Sequence, residues 1–279
     1  MKQEMWPRLV IWGLWGTRNA SGVLTLWAVG GSVRRGGPKG VLLKRDAGGV
    51  WHRVTHEFFP VESENDPLQG VNFYKIWGRD NTVWIVGERG VTLTAEIEQL
   101  PETSQLRRWR VSSSSTEIPE LLFTVHGSPT LEARHPEQNT KDHSTPSAST
   151  TWVVGGYERG SAWRWRQEGE MSGWGGWEAL NLPTIPALNG VYVDTDLVIG
   201  VGRRGSVSAW SPQVDLDSTS SITQEKVSGA ELMTLHSIWP DREGGYWIVG
   251  GDLTTLQEGA ILAPHQWSTT GPPLRRQTW

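Results

Sequence analysis

A short apolar signature that returns five times is the feature that most constrains this chain. Its clearest form is Trp84-Ile-Val-Gly87, within the stretch Thr82–Val91. The other copies are Trp27–Gly30, Trp152–Gly155, Ile199–Gly202 and Trp247–Gly250. Their final glycines are 57, 68, 47 and 48 residues apart, which indicates a unit of about 47 residues with two insertions. A repeat of this kind predicts an array of similar supersecondary units.

Each signature is surrounded by short runs of β-branched and aromatic residues bounded by Gly, Asp and Asn. This pattern is typical of strands and not of helices. Every repeat is predicted to contain four strands, of which the signature is the second, buried on both faces. The chain has 18 Trp and 33 Gly but only four Phe and four Tyr, which suits indoles packed between sheets and glycine-rich turns. We therefore predict an all-β, five-bladed β-propeller with four-stranded antiparallel blades.

The repeat runs through the whole chain and predicts a single domain over residues 1–279. The signature Trp and Ile positions are expected in the blade core, because they lie within apolar strands. Either Met5–Leu9 or Leu274–Trp279 is expected to complete a blade formed from both ends of the chain, and Gln266–Ser268 is the predicted fourth strand of the last repeat. The repeats cover approximately residues 8–56, 70–112, 119–182, 187–228 and 232–270, with a long loop insertion at 128–150.

Two segments resemble the Asp-box turn, in which an aspartate caps a glycine turn that leads into a strand. Asp46-Ala-Gly-Gly-Val-Trp51 is one, and Asp241–Trp247 is a looser version. With the signatures, they make the chain resemble the Trp-x-Val-Gly repeat β-propellers, which are BNR/Asp-box-like and photosystem-assembly-factor-like, from about Leu9 to Trp267. The resemblance implies a propeller fold. Such propellers include lectins, sialidases, assembly factors and scaffolds, so the fold leaves the function open.

An Arg-Gly pair follows the signature in four of the five repeats. In propellers that this chain resembles, the turn between the second and third strands lies on the face generally used for ligands. Guanidinium groups suit carboxylate, sulfate or phosphate groups of a partner. The alternative is that a hairpin turn needs a glycine with positive φ beside a solvated charge. The candidate partner-binding or anion-binding residues are Arg35, Arg89, Arg159 and Arg204.

A second basic cluster combines Arg107–Arg110 with Trp163–Arg166 and interleaves arginine with tryptophan. Such interleaving can bind single-stranded nucleic acid. On a strand, however, the same alternation places the two residue types on opposite faces. The net charge of −4 and the pI near 6.0 supply no general attraction to nucleic acid. We therefore expect nucleic acid not to be the partner.

Catalytic and metal-binding patterns are weak. Tyr157-Glu158-Arg159 is the only local group with the residue types that a sialidase requires, and a repeat turn explains it equally well. The seven histidines form no close metal-ligand motif, and the chain has no cysteine. The glycine pairs after the signatures enter hairpins and do not open helices, so no phosphate-binding loop is expected. We expect no enzyme activity, no catalytic residues, no metal and no cofactor.

These patterns together favour a non-catalytic propeller binding module that acts as a protein-interaction, assembly or scaffold subunit. The alternative is a carbohydrate-binding, lectin-like propeller, in which exposed indoles stack on sugar rings at equivalent sites. The N-terminal residues lack the apolar core of a signal peptide, and no apolar run is long enough to span a membrane. The sequence as written predicts a cytoplasmic location, or a secreted or periplasmic one if a signal sequence was removed.

Overall fold

The fold consists of five four-stranded sheets in which sequential strands are neighbours. The all-β, five-bladed β-propeller with antiparallel blades is thereby confirmed. Within the described part of the chain, no helix is long and apolar enough to cross a membrane. By its internal contacts the chain divides into two compact units, residues 1–125 and 126–279. The computed structural model describes residues 9–32, 40–54, 70–112, 121–128, 150–167, 175–227, 229–241, 245–252, 259–262 and 276–277.

The first unit contains sheets 1 and 2. The signature strands lie inside these sheets, and their tryptophans, Trp27 and Trp84, are only 1% and 3% exposed. Trp15 stacks on Trp27 with ring centroids 5.5 Å apart. The strands are β1 (Val10–Arg18), β2 (Leu24–Gly31), β3 (Val41–Arg45), β4 (Trp51–Arg53), β5 (Phe73–Arg79), β6 (Thr82–Gly87), β7 (Thr92–Leu100) and β8 (Thr103–Ser112).

The second unit contains sheets 4 and 5 and most of sheet 3, whose first strand includes the division between the units. Trp152 and Ile199, the signature residues of sheets 3 and 4, are fully buried. The strands are β9 (Leu122–Gly127), β10 (Thr151–Gly155), β11 (Ser161–Gln167), β12 (Gly175–Leu180), β13 (Leu188–Val193), β14 (Val198–Gly202), β15 (Ser206–Trp210), β16 (Thr223–Lys226), β17 (Thr234–Pro240), β18 (Tyr246–Gly251), β19 (Gly259–Leu262) and β20 (Arg276–Gln277).

The last residue of the signature is glycine because another backbone approaches it closely. In sheet 2 the Cβ of a larger residue at Gly87 would overlap the carbonyl oxygen of Asn72, and in sheet 4 a Cβ at Gly202 would overlap that of Ala187. The same two carbonyl oxygens accept hydrogen bonds from the first amides after the signature, those of Glu88 (3.0 Å) and Arg203 (2.9 Å). In these two sheets the glycine leaves room for the residue before the first strand to accept a hydrogen bond from the turn after the second strand, which fixes that turn.

One signature position departs from the prediction. Trp247 in sheet 5 is 39% exposed, and its cross-strand partner Trp239 is 64% exposed. Ile238 and Ile248 pair with each other on the opposite face and are buried. The prediction that all five signature residues are core is therefore wrong for Trp247, because among the described residues only one face of sheet 5 is covered.

The fourth strand of sheet 5 is β20, which pairs with β19. The predicted strand Gln266–Ser268 lies outside the described residues. A C-terminal segment completes sheet 5, as expected, but the prediction that the completed blade combines both ends of the chain is wrong. The four strands of this sheet all come from residues 234–277, so it combines no strands from the two ends of the chain.

Two aspartates close turns with their side chains. The carboxylate of Asp46 accepts a hydrogen bond of 2.9 Å from the amide of Val50, and that of Asp241 accepts one of 2.7 Å from Gly245. In both turns the acceptor lies four residues before the donor. The side chain of an Asx residue here replaces a backbone acceptor and fixes the chain reversal.

Candidate partner-binding surface

Two of the predicted Arg-Gly pairs form the same kind of turn. In Glu88–Val91 and Arg203–Ser206 the fourth amide donates to the first carbonyl at 3.2 Å. The central residues have positive φ, 56° at Arg89 and 65° at Gly90 in one turn, and 57° at Arg204 and 64° at Gly205 in the other. These are type I′ hairpin turns. The turn chemistry expected from the glycine is therefore present in both units.

The other Arg-Gly pairs do not repeat this geometry. Arg159 lies in a longer connection, between the end of β10 at Gly155 and the start of β11 at Ser161, and forms an isolated β-bridge with Pro186. The adjacent Gly160 donates its amide to the carbonyl of Ile185 at 2.9 Å. Arg35 lies outside the described residues. Arg159 is nevertheless exposed, as are Arg89 and Arg204.

In the second unit, the turns that follow the signatures of sheets 3 and 4 lie side by side. A guanidinium nitrogen, Nη1, of Arg203 donates a hydrogen bond of 2.8 Å to the carbonyl oxygen of Tyr157. The Tyr157 side chain is 59% exposed, and Glu158 beside it is also exposed. Arg159 and Arg204 thus belong to connected turns and lie on one surface with Arg203.

The connection from sheet 4 to sheet 5 borders the same turn. The amide of Gly205 donates to the carbonyl of Met233 at 3.0 Å, and Arg203 forms an isolated bridge with Thr234. Leu232, immediately before Met233, is 97% exposed. We name this set of residues the turn surface, and it consists of Tyr157, Glu158, Arg159, Arg203, Arg204, Glu231 and Leu232.

The arginines of the turn surface differ from Arg164 and Arg166, the other arginines of this unit whose side chains are described. Arg164 and Arg166 both pair with the carboxylate of Glu178, at 3.1 and 3.0 Å. These hydrogen bonds lower the pKa of Glu178, and the bond from Arg166 has the larger effect. Among the described residues of the second unit, Arg159, Arg203 and Arg204 make no ion pair. Among the arginine side chains of this unit that the structure describes, the unneutralised guanidinium groups are therefore those of the turn surface.

In the first unit, Glu88, the residue before Arg89, has a structural role. The carboxylate of Glu88 accepts hydrogen bonds from the backbone amide of Asn72 (2.9 Å), from its side-chain amide (2.8 Å) and from the hydroxyl of Tyr74 (3.1 Å). Tyr74 in turn contacts Trp12 and Phe123, with ring centroids 5.3 and 5.5 Å away. Glu88 therefore links the turn that carries Arg89 to the first strand of its own sheet.

The arginine-tryptophan clusters lie on β8, the outer strand of sheet 2, and on β11, an inner strand of sheet 3, and arginines of both are paired with acidic residues. Arg107 and Arg108 on β8 contact Glu98 and Glu96 on β7, at 3.0 and 3.2 Å. Arg164 and Arg166 share Glu178, as described above. Opposite charges on adjacent strands are typical of solvated sheet faces. The carboxylates therefore offset part of the positive charge of both clusters.

The exposed indoles do not occupy equivalent positions in the repeats. Among the described residues, the tryptophans with the largest exposed fractions are Trp239 (64%), Trp51 (40%) and Trp247 (39%), of which one belongs to sheet 1 and two to sheet 5. The signature tryptophans of sheets 1, 2 and 3 are buried. The three most exposed of the described tryptophans therefore do not form the set of equivalent sugar-stacking sites that the lectin alternative predicts.

The described part of the chain contains no group of three His, Asp or Glu side chains that could hold a metal. His135 and His143 lie outside it, as does most of the insertion at 128–150. Tyr157-Glu158-Arg159 occupies an exposed connection between two strands.

The sequence predictions assigned five members of the turn surface to no binding site: Arg203, Tyr157, Glu158, Glu231 and Leu232. A signal for the first was present, because the fourth repeat has Arg203-Arg204 where the second has Glu88-Arg89 and the third has Glu158-Arg159. The first repeat has Arg34-Arg35 at the same place, so arginine replaces this glutamate in two of the repeats. Nothing in the spacing of the repeat indicates that Leu232 would lie beside the turn of the fourth repeat.

No family model matches the chain. No curated protein matches it at the threshold of significance. Among solved structures, it is similar to YCF48 from Cyanidioschyzon merolae, with 16% identity, a TM-score of 0.44, and coverage of 99% of this chain and 88% of that one. It is also similar to a structure of YCF48 bound to D1 peptide, with 15% identity, a TM-score of 0.46, and coverage of 97% and 82%.

Proposed function

We propose that this protein is a non-catalytic binding module, which acts as a protein-interaction or assembly subunit and captures its partner through the turn surface. The observation that carries the proposal is the contrast in charge pairing within the second unit. Arg164 and Arg166 are neutralised by Glu178, whereas Arg159, Arg203 and Arg204 are exposed and without an ion pair among the described residues.

The backbone beneath these arginines is well held, which supports a binding role. Val227 donates its amide to the carbonyl of Gly205 at 2.9 Å, and Gly205 donates to Met233 at 3.0 Å. Arg203 is additionally oriented by the carbonyl of Tyr157. A guanidinium group that is already positioned loses less conformational entropy when it binds a carboxylate.

The turn itself does not require arginine. The first central residue of a type I′ turn has positive φ, for which Asn, Asp and Gly are preferred. Arginine at Arg89 and Arg204 therefore costs about 1 kcal/mol of backbone strain relative to these residues. Since turn chemistry explains the glycines but not the arginines, a selected function of the side chains is the simpler account.

A protein partner suits the mixed chemistry of the surface. The arginines attract carboxylates, and Tyr157 and Leu232 provide exposed apolar area beside them. Arginine and tyrosine are enriched where protein interfaces concentrate their binding energy. We include Arg35, Arg89, Arg159 and Arg204 as candidate partner residues, and add Arg203 to them.

The proposal is tested by affinity purification of the tagged full-length protein from its native host, followed by mass spectrometry. A glycan array is probed with the same preparation. We expect a stoichiometric protein partner and a blank array. Glycan binding without a stable protein partner would contradict the proposal and favour the carbohydrate-binding alternative.

A further inference from the structure

Leu232 is exposed to solvent in the connection between sheets 4 and 5, whose backbone is fixed by hydrogen bonds. Its neighbours Ala230 and Met233 are 0% and 3% exposed, and Met233 donates its amide to the carbonyl of Ala230 at 2.9 Å. The amide of Ala230 donates a hydrogen bond to the carbonyl of Val227, whose side chain is also buried. The exposure of Leu232, 97%, is therefore fixed by the backbone that carries it.

The position of Leu232 relates it directly to the unpaired arginines. The Arg203–Ser206 turn is bonded on one side to Tyr157, through Arg203, and on the other to Met233, through Gly205. An exposed aromatic side chain and an exposed leucine thus border the same turn. A single exposed leucine is unremarkable, but here it lies beside unneutralised charge on a fixed backbone.

We propose that the turn surface binds an acidic segment of its partner that also carries an apolar side chain, which packs on Leu232 and Tyr157. This inference rests on the proposed function and specifies the partner's chemistry. The carboxylates of the segment contact Arg159, Arg203 and Arg204, and the apolar side chain removes Leu232 from water. Charged contacts accelerate association and select the partner, whereas burial of an apolar anchor slows dissociation.

The inference distinguishes a protein segment from a simple polyanion. Inorganic phosphate, sulfate or a sulfated glycan would use the arginines and leave Leu232 exposed. A segment with both features uses the whole surface. Leu232 is therefore the residue that separates these two classes of ligand.

The test uses two synthetic peptides of equal length and equal charge, with binding to the full-length protein followed by fluorescence anisotropy. One peptide contains only Glu and Ser, and the other has a single central Leu in place of a Ser. We expect the Leu-containing peptide to bind at least about fivefold more tightly. Leu232→Ser should remove this preference and leave the affinity for the Glu/Ser peptide unchanged.

The control is Leu14→Ser, which changes an exposed leucine (56%) in the first unit and should keep the preference. Equal affinities of the wild type for the two peptides, or a preference that survives Leu232→Ser, would overturn the apolar anchor. Arginine-dependent binding of both peptides would still agree with the proposed function. Failure of both peptides to bind would overturn the acidic partner segment, while partner capture in the purification above tests the proposed function separately.

Discussion

The guanidinium of Arg203 donates a hydrogen bond of 2.8 Å to the carbonyl of Tyr157, which lies 46 residues earlier in the chain. This bond joins the turns after the signature strands of two consecutive sheets. It brings Arg159 and Arg204 onto one surface with Arg203, although the two connections differ in length and backbone geometry. Each repeat has a connection after its signature strand, and the bond between Arg203 and Tyr157 joins two of these connections into one surface.

Replacing Arg204 with Asn should leave the fold intact and keep or raise its stability, by up to about 1 kcal/mol, because Asn accepts positive φ more readily than Arg. Arg89→Asn provides the matched change in the first unit, where φ is 56°. Urea denaturation measures both variants. A loss of more than about 1 kcal/mol would show that the arginine side chain stabilises its turn.

Gly87→Ala and Gly202→Ala should each destabilise the protein by about 2 kcal/mol or more, because the added Cβ overlaps a carbonyl oxygen of the first strand. Gly176→Ala is the control, since a Cβ there has no heavy atom within 4 Å. It should change the free energy of unfolding by less than about 0.5 kcal/mol. Similar losses in all three variants would contradict the close-approach explanation.

Trp84→Ala should cost about 3 kcal/mol or more, because Trp84 is only 3% exposed. The corresponding change in sheet 5, Trp247→Ala, should cost about 1 kcal/mol, since Trp247 is 39% exposed. Thermal and chemical unfolding give both values. Equal losses would mean that this face of sheet 5 is covered in solution.

Glu178→Gln should destabilise the protein by about 1 kcal/mol at neutral pH, because Arg164 and Arg166 lose their shared carboxylate. The folded pKa of Glu178 lies below its ordinary value of 4.5. The advantage of the wild type should therefore be complete above about pH 4.5 and decline as the pH falls through the folded pKa. If the difference in stability between the wild type and Glu178→Gln did not change with pH in this range, the charge of Glu178 would not be its cause.

The sequence predicts the strands well because their signals are local. Apolar runs bounded by turn residues place the strands of the first four sheets and the first three strands of sheet 5, and the Arg-Gly pairs correctly indicate tight turns at Arg89 and Arg204. The exposure of Trp247 could not be predicted, since its run Trp247–Gly250 resembles buried signatures and only the packing of neighbouring sheets distinguishes them. The pairing of β19 with Arg276–Gln277 likewise depends on a connection that the repeat does not specify.

The turn surface was predictable only in part. Arg159 and Arg204 follow from the repeat, because each occurs at a fixed position after a signature. The spacing of the repeat does not show that Arg203 bonds to Tyr157 or that Leu232 lies beside the same turn, because the bonds of Arg203 to Tyr157 and of Gly205 to Met233 join connections far apart in the chain. Ion pairing is also invisible in the sequence: Arg164 and Arg204 are equally basic there, and the structure separates them by the position of Glu178.

The central claim is that unpaired arginines of the turn surface capture a protein partner. It is tested most directly by partner capture with the variant Arg159→Ala/Arg203→Ala/Arg204→Ala, compared with Arg107→Ala/Arg108→Ala/Arg166→Ala. Both triple variants change the net charge equally, but the second removes exposed arginines that pair with Glu98, Glu96 and Glu178. We expect the first to lose at least about tenfold in partner affinity while it remains folded, and the second to bind like the wild type. Equal capture by the two folded variants would contradict the claim. The turn arginines would then be solvated charges without a role in binding.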